Sequence, residues 1–312
     1  MKDHPVRKFG KPALKICVSV LLAAYLLYRT DLELIWENIR AYPPGLLAAA
    51  FLLMLANSAV GAASLQALYK EETVCRIFLV TLKSCFYSMV LPGQLLGEST
   101  KVLLLSRRPG NLARRVSAVI VDKVLNSIVL LWLGTFGLLH TPVFDGSFVK
   151  GLSLAVSAGV TVFLFAGMNV HFCLWLGRVL DTMRAGRVQG ILKRYLDIWT
   201  GYAKDRRAVI CSGVFGLVYH LLINLVYCVL ARGLSMQVSF LDFCWVNAML
   251  TFILLLPVSV GGLGVREVSL AGMLGILGVS RGAAVSLSIL LLFLQVLRAL
   301  IGGGLLLAGK GH

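Results

Sequence analysis

The chain has 312 residues, 58% of them hydrophobic and 14% charged, with a mean hydropathy of +0.86, which excludes an ordinary soluble domain. Its 30 Lys and Arg against 14 Asp and Glu give a formal charge of +16. The basic residues gather in short connections such as SRRPGNLARR, so they speak for the positive-inside bias and anionic headgroups and against nucleic acid.

Taken in chain order, a basic tail precedes a first apolar run over 13–28. This reads as a retained span, because the following RTDLELIW offers no small-residue cleavage site. Further runs long enough to cross a bilayer cover 45–68, 116–139, 152–177, 208–231 and 284–307. Two others, 77–105 and 240–280, are interrupted by LPGQLLGES and LPVSVGGLGVRE. Pro92 and Pro257 are the two prolines deep in apolar sequence, and Gly93, Gly97, Gly261, Gly262 and Gly264 surround them. Proline ends a helix and glycine permits irregular backbone, whose polar groups must then be buried in protein or line a wet cavity. Each interrupted region is therefore expected to be a re-entrant hairpin rather than one kinked helix.

These elements predict an all-α polytopic membrane protein with about six full transmembrane helices and two re-entrant helical hairpins. A single membrane domain fills residues 1–312. The order span, hairpin, span occurs over 45–139 and again, in opposite orientation, over 208–307, with 13–28 and 152–177 as extra spans. Such an inverted repeat is an architecture of transporters. Leu91, Pro92 and Glu98 correspond to Leu256, Pro257 and Glu267, each glutamate opening a second arm, although the Pro-to-Glu spacing differs. With both termini cytoplasmic, SRRPGNLARR and the basic loop 178–207 fall on the cytoplasmic side.

Ionisable residues inside membrane segments are costly and mark candidate sites. Here they are Glu98, Lys101, Asp122, Lys123, Arg266, Glu267 and Arg298. Arginine suits bidentate phosphate contacts and lysine acts as a point charge, so Arg266, Arg298 and Lys101 are the expected phosphate ligands. The competing reading is that these acids and bases neutralise one another. His220 and Asn224, four residues apart on one helical face with Tyr227 nearby, form a further candidate, and Lys83 and Asn247 weaker ones. The seven cysteines are scattered singly and the five histidines are dispersed, a pattern that supports neither a metal nor another cofactor.

The segments LPGQLLGESTKVLLL, VSAVIVDKVLN and LLPVSVGGLGVREVSL resemble the membrane domain of lysylphosphatidylglycerol synthases and their stand-alone, flippase-like relatives over roughly residues 10 to 308. The resemblance implies a multi-pass inner-membrane protein of a bacterium or archaeon that handles polar lipids, in some members moving an aminoacylated lipid between leaflets. The soluble aminoacyl-transferring domain of the synthases is missing from this sequence, so lipid lysinylation by this chain alone is not expected.

Three functions compete: a lipid transporter, an intramembrane enzyme acting on a lipid phosphate, and a scaffold for a separate lipid synthase. The paired breaks favour the first, and no nucleophile elbow, metal-ligand cluster or nucleotide-binding motif supports catalysis. The expected partners are membrane lipids: anionic or aminoacylated phospholipid, polyprenyl phosphate or hopanoid-type lipid. A lipid synthase or a second copy of the chain stands as the alternative protein partner.

Overall fold

The computed structural model describes residues 32–90, 94–105, 112–143, 147–166, 202, 205–255 and 264–308, and all ten helices among them are α-helical. They are α1 (Leu32–Arg40), α2 (Pro44–Leu68), α3 (Val74–Val90), α4 (Gln94–Leu105), α5 (Leu112–His140), α6 (Ser147–Ala166), α7 (Arg206–Gly233), α8 (Phe240–Leu255), α9 (Val265–Ile276) and α10 (Arg281–Ala308). Four of them, α2, α5, α7 and α10, are long and apolar enough to cross a membrane. They coincide with the expected runs 45–68, 116–139, 208–231 and 284–307 to within a few residues. The expected span 13–28 lies outside the described residues, and 152–177 is described only through α6.

Local chemistry sets the helix starts. Pro44 opens α2, where its fixed φ suits the first turn and its missing amide hydrogen would have had no partner. Asp205 caps α7 by accepting from the Ala208 amide at 3.2 Å. At α8, Ser239 Oγ accepts from the Asp242 amide at 3.1 Å, and the Asp242 carboxylate accepts in return from the Ser239 amide at 3.3 Å.

The chain between α3 and α4 (91–93) and between α8 and α9 (256–263) lies outside the described residues. Pro92, Gly93, Pro257, Gly261 and Gly262 fall there. Gly97 does not mark a break: α4 has already begun at Gln94 and runs through it. A single helical glycine costs only about 1 kcal/mol relative to alanine, too little to end a helix by itself. Glu98 consequently lies beyond the first turn of α4, whose opening carries no acid, whereas Glu267 lies within the first turn of α9. Gly264, by contrast, has φ +80 immediately before α9, a left-handed conformation that glycine adopts without penalty.

Packing crosses between the two halves of the chain. The most extensive contact is between α2 and α7; α3 packs on α10, and α5 packs on α8. Within the halves, α3 packs on α4 and α8 on α9, while α4 and α8 also touch. Both crossed contacts rely on glycine. A Cβ at Gly302 of α10 would collide with the Leu82 carbonyl of α3, and one at Gly137 of α5 with the Leu241 carbonyl of α8. Small residues let membrane helices approach backbone to backbone in this way.

Polar contacts tie the chain together at two ends of the bundle. At one end, Arg114 Nη1 meets Glu71 Oε1 at 3.0 Å, Arg115 Nε donates to the Tyr69 hydroxyl at 2.9 Å, and Lys70 pairs with Asp205 at 2.7 Å. The chain entering α3 and the chain following α4 thus meet. At the other, Tyr42 donates to the Val229 carbonyl at 3.2 Å, Thr141 to Asp242 at 2.5 Å, and Asn38 of α1 to Ser286 of α10 at 3.3 Å. Apolar packing forms two large clusters. One joins Met54, Tyr227, Phe243, Leu270 and Leu291; the other joins Leu65, Tyr69, Ile77, Val121 and Val209.

Candidate functional site: a polar seam between α2, α5 and α7

In α7, Ser212, Gly216, His220 and Asn224 recur every fourth residue and are all buried. This spacing holds them on one helical face. Opposite it on α2, Ser64 meets Ser212 and Gly61 lies against the Tyr219 ring; Asn57 and Ser58 are buried on the same helix. Small and hydroxylated side chains allow the two helices to approach closely, and the same residues leave a polar seam through an otherwise apolar bundle.

Asp122 of α5 enters this seam near one end. Its Oδ1 accepts from Ser64 Oγ at 2.5 Å and from Asn126 Nδ2 at 3.2 Å, with Ser212 Oγ at 3.4 Å. The two serine hydroxyls are 3.1 Å apart. Asn126 Nδ2 also donates to the Asp122 carbonyl at 2.8 Å. One turn further along α5, the Asn126 carbonyl meets His220 Nε2 at 3.0 Å. A carbonyl only accepts, so Nε2 carries the hydrogen and Nδ1 of the neutral ring presents its lone pair. That Nδ1 is buried and has no hydrogen-bond partner among the described residues.

Arg298 belongs to α10, with its side chain directed at α2: Nη1 donates to Ser58 Oγ at 3.3 Å. Its Nε is buried without a hydrogen-bond partner, and no acid among the described residues lies within ion-pair distance of it. Asn57 Oδ1 and Asn224 Oδ1 are likewise buried without partners, while Asn224 Nδ2 donates to Cys244 Sγ at 3.3 Å. Leaving a buried polar atom unpaired costs about 1–3 kcal/mol, and four such atoms belong to this seam and its border.

The remaining candidates divide. Glu267 accepts from the Gly264 amide at 2.6 Å and from Ser288 Oγ at 3.2 Å, so its carboxylate closes the first turn of α9 and fastens it to α10. Ser288 precedes Arg298 by ten residues, about 15 Å of helix, so Glu267 does not neutralise Arg298. Arg266 is buried at the start of α9, close enough to act electrostatically on Tyr227. Lys123 is exposed on α5, and its charge reaches His220. Lys101 is half-buried on α4, Lys83 half-buried on α3 and Asn247 buried on α8; the Glu98 side chain lies outside the described residues. Asp122, Asn126 and His220 therefore form one connected group, and Arg298 joins the seam through Ser58.

Sequence reasoning overlooked Ser58, Ser64, Asn126 and Ser212. The four-residue spacing in α7 carries a signal, but its partners on α2 become recognisable only once α2 is known to pack on α7.

A family model described as the lysylphosphatidylglycerol synthase TM region matches residues 13–303. No curated protein and no solved structure matches the chain.

Proposed function

The chain belongs to the lysylphosphatidylglycerol synthase TM-region family, and from that premise we propose that it moves an anionic, phosphate-bearing lipid between the leaflets of an inner membrane without altering it. The observation that carries this reading is Arg298. A guanidinium midway along a long apolar helix, with one serine hydroxyl as its hydrogen-bond partner, is suited to an anion arriving from outside the protein. Arg266 and Lys101 are its proposed companions at the phosphate, reaching the lipid from the second arms α9 and α4.

The proposed architecture is an inverted repeat of α2–α5 and α7–α10, with α3–α4 and α8–α9 as re-entrant hairpins. The exchange of partners, α3 with α10 and α5 with α8, supports it. So does the meeting of Glu71 with Arg114, since α3 and α4 laid end to end would hold those residues about 40 Å apart. The end that carries Arg114, Arg115, Arg206 and Arg207 faces the cytoplasm in this reading.

The test is reconstitution into vesicles containing fluorescent phosphatidylglycerol, with an impermeant reductant to quench the outer leaflet. Vesicles with protein should expose inner-leaflet label faster than empty ones. Arg298→Ala should return the rate to that of empty vesicles, with Arg298→Lys intermediate because it keeps the charge and loses the fork. Equal rates with and without protein, or full activity in a folded Arg298→Ala protein, would sink the proposal.

A further inference from the structure

His220 and Asn224 stand one turn apart on the same face of α7, which sets their Cβ atoms about 5–6 Å from each other. Each is fastened by its donor end. His220 Nε2 donates to the Asn126 carbonyl of α5 at 3.0 Å, and Asn224 Nδ2 donates to Cys244 Sγ of α8 at 3.3 Å. The helices α5 and α8 pack on each other, so this stretch of α7 faces their junction. Each side chain is left with its acceptor end, His220 Nδ1 and Asn224 Oδ1, buried and without a hydrogen-bond partner among the described residues.

A lone pair cannot satisfy a lone pair, so these two side chains cannot serve each other. The missing partner must bring hydrogens. That excludes a phosphate or carboxylate oxygen, which offers only further lone pairs when ionised. An ammonium group brings hydrogens, but the positive charge of Lys123 reaches the His220 ring and opposes a second cation there. Uncharged hydroxyl groups remain. They donate without adding charge, and the two neighbouring hydroxyls of one glycerol unit suit two acceptors a single helical turn apart.

We infer that His220 Nδ1 and Asn224 Oδ1 form a hydroxyl-recognition site for the headgroup of the transported lipid, selecting an alcohol headgroup such as glycerol over an alkyl or ammonium one. The site holds the uncharged end of the headgroup, and the phosphate is bound elsewhere. No covalent bond is made or broken, and neither side chain changes its protonation. A headgroup without hydroxyls leaves both acceptors unpaired inside the bundle, so selectivity comes from the loss of two hydrogen bonds rather than from charge. This inference rests on the lipid-transport reading and names the class of headgroup that is carried.

The experiment titrates the full chain in detergent with dihexanoyl phosphatidylglycerol and with dihexanoyl phosphatidylpropanol, which carries the same phosphate charge and no headgroup hydroxyl. Wild type should bind phosphatidylglycerol about tenfold more tightly, the effect of two ordinary hydrogen bonds. His220→Gln keeps a donor for the Asn126 carbonyl and loses the Nδ1 acceptor, and Asn224→Leu loses the Oδ1 acceptor. Each should lower the ratio to about threefold, and the double variant should bind the two lipids equally. The ratio is taken within one preparation, so a loss of folded protein does not change it. In a 15N spectrum of His-labelled protein, phosphatidylglycerol should shift the His220 Nδ1 signal as its lone pair accepts a hydrogen bond, and phosphatidylpropanol should not. Equal affinities in wild type, a ratio unchanged in the double variant, or an Nδ1 signal already hydrogen-bonded without lipid and unmoved by phosphatidylglycerol, the mark of a buried water alone, would overturn the inference while leaving lipid transport standing. Absence of binding by both lipids would overturn it too, and transport of each in vesicles, measured separately, decides the broader reading.

Discussion

Gly302 of α10 lies against the main-chain carbonyl of Leu82 in α3, with no room for a methyl group between the two helices. Gly304, two residues on, has nothing within 4 Å of the position its Cβ would take. Gly302→Ala should therefore destabilise the protein by about 1–3 kcal/mol through forced separation of α3 and α10. Gly304→Ala should be neutral or slightly stabilising, because alanine removes backbone freedom from the unfolded chain. Thermal unfolding in detergent compares the two, and equal losses would contradict the close approach.

A second expectation concerns Glu267. Its carboxylate closes α9 through the Gly264 amide and reaches Ser288, so Glu267→Ala should cost about 1–2 kcal/mol, the usual range for a lost helix cap. Glu267→Gln keeps an acceptor for the amide and should cost much less. If Glu267→Gln folds normally yet moves no lipid, the carboxylate acts on substrate as well as on α9.

Sidedness can be read with an impermeant thiol reagent after the seven native cysteines are replaced. Lys70→Cys, Arg114→Cys and Arg207→Cys should react from one side of the membrane. Pro43→Cys and Gln237→Cys should react from the other. Labelling of Lys70→Cys and Arg114→Cys from opposite sides would rule out the doubling back of α3–α4.

The pairing of Lys70 with Asp205 has a pH signature. The hydrogen bond from Lys70, followed by that from the Ala208 amide, holds the Asp205 carboxyl below the usual carboxylate range. A carboxylate with a lowered value in the folded state stabilises the fold above its unfolded value, about 3.9, and loses that contribution as pH falls through the lowered one. Stability should thus be insensitive to this pair between about pH 5 and 8 and should decline below about pH 4, with Asp205→Asn removing that part of the decline. Both side chains are about half exposed, so added salt should weaken the effect.

The long helices were legible because about twenty apolar residues in succession leave few alternatives. Helices were legible on either side of Pro92 and Pro257, ending at Val90 and Leu255 and starting again by Gln94 and Val265, while the expected breaks themselves fall outside the described residues. The extent of the break at Gly97 and the place of Glu98 in its helix were misjudged for a related reason. Their closeness to Pro92 suggested one extended break, whereas residues 94–105 are helical and include both Gly97 and Glu98. The seam stayed hidden because an isolated Ser or Asn scarcely alters the hydropathy of a membrane helix. Ser64 acquires meaning only beside Asp122 and Ser212, which arrive from helices far away in sequence, and Ser58 only beside Arg298.

The crossed packing also bears on how the protein is made. A ribosome releases α3 long before α10 and α5 long before α8, so the first-made helices enter the membrane with their eventual contact surfaces uncovered. Around Leu82 and Phe86, lipid or an insertion chaperone must occupy the place that Gly302 and Gly303 later take. A chain that stops before Arg281 would retain helices able to insert, but α3 would never acquire its partner. Cellular quality control should therefore remove such a product even though each remaining span is intact.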